Sequence, residues 1–169
     1  MENVVKLYSL SLRETKTYLF AAVFIAGNVI VPQVIHLVPG GGLVWLPIYF
    51  FTLIAAYKFG LKAGLLTAVL SPLINSYFFG MPPAAALPAI LIKSTLLAFA
   101  ASYAARRAGT ISIIAIALAV LAYQVVGTTI EWAMVGNFFI AVQDFRIGIP
   151  GMLLQIFGGY LVLRAIAKI

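Results

Sequence analysis

ISIIAIALAVLAYQVVGTTIEW, residues 111–132, decides the class of this protein. Ile111 to Ile130 carry no charge, and about 20 mostly apolar residues in a helix cross the hydrocarbon core of a bilayer. The segment is expected to be a membrane span, roughly Ile111 to Trp132. Its polar residues Gln124, Thr128 and Glu131 follow i, i+4, i+7 spacing, which places them on one helical face.

Comparable segments fill most of the remaining chain. The first runs roughly from Thr17 to Val38 and stops at Pro39-Gly40-Gly41-Gly42, a turn sequence. A short second span covers about Leu43 to Tyr57 and a third about Ala63 to Phe79. Ser71-Pro72 lies inside the third, where proline removes a backbone hydrogen bond, so that helix is expected to be broken near Pro72. The fourth takes about Ala84 to Ala105 and the sixth about Gly148 to Ala167, after a mixed stretch from Ala133 to Ile147. The first span leads directly into further spans and so is expected to be retained, unlike a signal peptide. Before it, Val4 to Arg13 mixes apolar and basic residues and suggests a short amphipathic helix at the interface.

Composition agrees with this pattern. The 169 residues are 64% hydrophobic and 9% charged, with mean hydropathy +1.12, whereas soluble domains carry about a quarter charged residues. The expected fold is an all-α integral membrane protein, a six-transmembrane-helix bundle forming one domain over 1–169. Residues 1–16 form a cytoplasmic or interfacial segment and 17–167 the bundle. Alternating spans with the N- and C-termini inside put Lys6, Arg13, Lys16, Lys58, Lys62, Arg106, Arg107, Arg164 and Lys168 on the inner side, nine of eleven basic residues. Arg146 falls outside and Lys93 within a span.

Several function classes are excluded or weakened. With no cysteine there is no disulfide and no thiol chemistry, and one histidine with four acids makes a metal centre unpromising. There is no phosphate-binding loop and no HExxH or GxSxG motif. The basic residues mark helix ends and form no aromatic-interleaved nucleic-acid surface. Neither a cofactor nor a nucleic-acid partner is expected, and the chain is not expected to be an enzyme.

The candidate site is a polar cluster toward the outer side. A lysine at membrane depth costs about 2.5–3.5 kcal/mol on insertion scales, so Lys93 asks for a reason. It either snorkels to the interface, awaits an anionic or carbonyl-bearing ligand, or belongs to an internal ion pair. Asn75, Gln124, Glu131, Asn137, Asp144, Arg146, Gln155 and His36 gather at a similar level, with Trp45 and Trp132 near outer helix ends. Singly, the tryptophans read as interfacial anchors and Gln155 as interhelical glue. Small residues form a second pattern: Ala22 and Ala26 in the first span, and Gly60, Gly64 and Ala68 at the third. Such faces admit a close helix, either inside the bundle or from a partner.

Six spans, the alanine-spaced first helix and the polar outer pocket resemble the substrate-binding S component of energy-coupling factor (ECF) vitamin transporters. The resemblance is carried by Trp45 to Phe51, by Tyr57 to Asn75, by Gly80 through Pro88 to Lys93 and by Gln143 to Gly151. It implies high-affinity binding of a vitamin or related micronutrient on the extracytoplasmic side of a bacterial or archaeal cytoplasmic membrane. It further implies docking of Ala22 and Ala26 on a scaffold T subunit, with two separate ATPase subunits powering uptake. The matching ligand positions are Asn75, Lys93, Gln124, Glu131, Asn137, Asp144, Arg146 and Gln155. Lys93 and Arg146 suggest an anionic group on the ligand. A self-sufficient small-solute transporter and a membrane-embedded enzyme acting on a lipid-like substrate are the competing functions.

Overall fold

The computed structural model of the protein describes residues 6–169 and is all-helical, without a strand among the described residues. Glu2, Val4 and Val5, counted above with the inner N-terminal segment, lie outside them. The long helices are α1 (Thr15–Ile35), α4 (Leu61–Phe79), α5 (Leu87–Ala108) and α6 (Ile113–Val135). Between α1 and α4 stand α2 (Gly41–Trp45), a 3-10 turn at Pro47–Tyr49 and α3 (Phe50–Phe59). After α6 come the short α7 (Phe138–Ala141) and α8 (Gln143–Ile147), then α9 (Ile149–Leu153), a π-helical turn at Leu154–Gly158 and α10 (Gly159–Ala165). Helices α1, α5 and α6 are long and apolar enough to cross a membrane, while Pro47–Phe59 and Ile149–Ala165 are shorter apolar helices.

Helix α6 shows why the bundle suits lipid. Ile116, Ala119, Val120, Tyr123, Gln124, Gly127 and Thr128 form its buried face at helical spacing, whereas Ile114, Leu118, Leu121, Val125 and Val126 are exposed. The inward face is therefore the smaller and more polar one, and the large apolar side chains face out. Water would penalise that arrangement over so long a stripe; a hydrocarbon solvent does not. Ser112 caps the start of α6 by accepting a hydrogen bond from the Ala115 N–H at 3.3 Å. At the other end Gly136, at φ 69°, adopts the left-handed conformation that terminates it.

Helix α3 is the centre. Thr52 to Phe59 are all buried, because α1, α4, α5 and α10 pack around it. A helix that is mostly apolar all round belongs in such a position. Gly64 lies against Ala56 of α3 so closely that an added Cβ would meet the Ala56 Cβ at 2.5 Å, and Ala68 is fully buried. That small-residue run is thus internal packing. Ala22 and Ala26, by contrast, face outward from α1.

Three expectations are corrected. The third span is not broken near Pro72: α4 is continuous from Leu61 to Phe79. Neighbours hold it across the proline, since the Ser71 hydroxyl accepts from Asn28 of α1 and Asn75 donates to the Ser71 carbonyl. The described part of the N-terminal segment is not an amphipathic helix: residues 6–10 are non-helical, and the N–H groups of Tyr8 and Leu10 donate to the carbonyls of Lys58 and Phe59. Lys58 is no exposed anchor, because it is fully buried and its Nζ donates to the Lys6 and Ala167 carbonyls. A buried ammonium with carbonyl partners ties both ends of the chain to α3.

Candidate functional site

Lys93 lies in the second turn of α5, and Glu131 and Asp144 reach it from α6 and α8. Its Nζ stands 2.6 Å from Glu131 Oε2 and 2.8 Å from Asp144 Oδ2, with the lysine side chain 4% exposed and the carboxylates 16% and 13%. The ammonium is neither exposed nor free, and the pairing accounts for its tolerance in a buried position. Its stem crosses α6 at Gly127, where a Cβ would lie 2.6 Å from Lys93 Cγ. The glycine admits the lysine, and any larger residue would push it aside.

The triad borders a cavity of about 200 Å³ whose wall also includes Tyr49, Gln143, Ile48 and Ile90. A second cavity of about 380 Å³ shares Gly42, Leu43, Ile48, Ala86 and Ile90 with it and extends to Pro32 and His36. The first cavity is charged at its triad end, and its neighbour across the shared wall is mostly apolar. Pockets for small molecules have this character, with a few polar groups fixing orientation within apolar walls.

Behind Tyr49 a buried polar layer continues. The Tyr49 and Tyr123 rings are 5.3 Å apart, the Tyr123 hydroxyl donates to Gln155 Oε1 at 2.9 Å, and Gln124 Nε2 donates to the Tyr123 oxygen at 3.1 Å. Gln155 sits in the π-helical turn, a local widening common at functional positions. Ser94 Oγ, Thr128 Oγ1, Gln124 Oε1 and Gln155 Nε2 are buried without a hydrogen-bond partner among the described residues. Unpaired buried polar atoms are costly, and these four lie in the helices behind the cavity and not on its wall.

The structure separates the residues that the sequence grouped. Lys93, Glu131 and Asp144 come together, with Gln124 and Gln155 in the adjoining layer and His36 at the far cavity, its Nδ1 without a partner. Asn75 stands apart: its amide donates to the carbonyls of Asn28 and Ser71 and accepts from Gln33, so its bonding capacity is spent. Asn137 caps α7 by accepting from the Ile140 N–H at 3.2 Å. Arg146 is exposed and forms no ion pair among the described residues, and Trp45 is 43% exposed at the end of α2. Tyr49, Tyr123, Ser94, Gly127 and Gln143 are site residues that sequence reasoning did not single out. Gly127 and Tyr123 flank positions already recognised on the polar face of α6 and were legible there; Tyr49 and Gln143 carried no periodic signal.

No family model, curated protein or solved structure matches the chain.

Proposed function

We propose that this chain is a membrane-embedded receptor for a small polar molecule such as a vitamin, acting as the S component of an ECF-type uptake system. The single observation that carries the reading is the Lys93–Glu131–Asp144 triad opening on a cavity at one end of a bundle whose outward faces are apolar. An ion triad that served packing alone would have no need of an adjoining cavity.

The finer topology belongs to the same proposal: six spans made by α1, Pro47–Phe59, α4, α5, α6 and Ile149–Ala165, with both termini inside. Its support is the segregation of charge. Lys58 meets Lys6 and Ala167, and Arg106 lines a cavity with Tyr8 and Gly60, so these basic residues share the end opposite the triad. Ala22 and Ala26 face outward, as docking on a scaffold subunit requires. Among the described residues no three His, Cys, Asp or Glu side chains cluster as a metal site would need.

Purification of the tagged chain from its native membrane, followed by protein mass spectrometry, tests the assignment. A pair of ABC-type ATPases and a helical scaffold should accompany it, and proteoliposomes holding the chain alone should accumulate no solute. Accumulation by the chain alone would instead make it a self-sufficient transporter.

A further inference from the structure

The charges at the triad do not cancel. One ammonium faces two carboxylates, and among the described residues no other lysine or arginine lies within ion-pair distance of either acid. Arg146, the nearest basic residue in sequence, is exposed and forms no such pair. The site therefore carries one negative charge in excess, held between helices where solvent screening is weak. Both acids already bond the ammonium, so a ligand carboxylate would have to lie beside two others.

Taking the cavity as a small-molecule site, we propose that its ligand brings one positive charge, as an ammonium, amidinium or similar N–H-bearing group on a small neutral body. The cation sits against Glu131 and Asp144 and donates to carboxylate lone pairs that Lys93 leaves free. The neutral body extends along Ile48 and Ile90 into the second cavity, whose lining is almost wholly apolar. This reverses the sign expected from Lys93 taken by itself, because Lys93 serves to hold the two acids together and oriented.

Isosteric probes decide it. Purified protein in detergent is titrated calorimetrically with benzamidine, benzamide and benzoate, which share a ring and differ in charge. Benzamidine should bind at least about tenfold more tightly than either of the others, and Asp144→Asn or Glu131→Gln should bring that ratio close to one. Preference for benzoate, equal affinity for all three, or no binding of benzamidine would overturn the cationic ligand. Stabilisation by sodium chloride but not by choline chloride, with benzamidine inert, would assign the missing charge to a metal ion and also overturn it. A benzoate preference lost in Lys93→Met would leave the receptor reading standing while removing this inference. Loss of both requires that no small molecule co-purify either.

Discussion

Lys93 holds two acids that would otherwise repel one another. Replacing it by methionine leaves Glu131 and Asp144 unpaired, and breaking a buried ion pair in this way costs about 3–5 kcal/mol, toward the lower end here because both acids retain some exposure. The triple variant Lys93→Met, Glu131→Gln, Asp144→Asn should recover most of that loss, since no charge is then left uncompensated. Thermal melts in one detergent check both values; a triple variant as unstable as the single one would mean that the triad's charges are not what Lys93 supports. Gly127→Val should cost roughly 1–3 kcal/mol through its clash with the lysine stem. In a Lys93→Ala background that penalty should largely vanish, as a double-mutant cycle can read. The sequence exposed Lys93, Glu131 and Asp144 as charges without an anchoring role. It could not show that they meet, because that depends on how α5, α6 and α8 pack, which no spacing within one helix reports.

Helix α1 contains the clearest case of one element completing another. Pro32 has no N–H, so the carbonyl of Asn28 four residues earlier lacks its helical donor. Asn75 of α4 supplies one at 2.8 Å, while Asn28 itself bonds Thr52, Ser71 and the N–H of Phe51 in the first turn of α3. Asn75→Leu should therefore destabilise the bundle by about 1–3 kcal/mol, the cost of an orphaned buried acceptor. Pro32→Ala restores the missing donor and should reduce that penalty; additive losses in chemical or thermal unfolding would contradict the pairing. The proline in α4 looked like a break from local rules alone, because the rule counts the bond that proline removes and is blind to bonds arriving from α1. The π-helical turn at Leu154–Gly158 was equally hidden, since one extra residue in a turn leaves an apolar run unchanged. Helix positions themselves were legible from apolar runs and from stops such as Gly109 and Gly136.

For the whole molecule, the outward apolar faces and the charge at one end make a claim about orientation in a membrane. The chain has no cysteine, so single cysteines report cleanly. Met81→Cys and Phe139→Cys should react with a membrane-impermeant maleimide in intact cells, and Arg107→Cys and Lys168→Cys only after permeabilisation. The opposite pattern would invert the proposed topology. The small-molecule site is the central claim, and its most direct test is native mass spectrometry of the wild-type protein and Asp144→Asn, each released from detergent under the same conditions. The account predicts one small molecule retained by the wild-type chain and lost from the variant. Equal retention by both, or none by either, would contradict it.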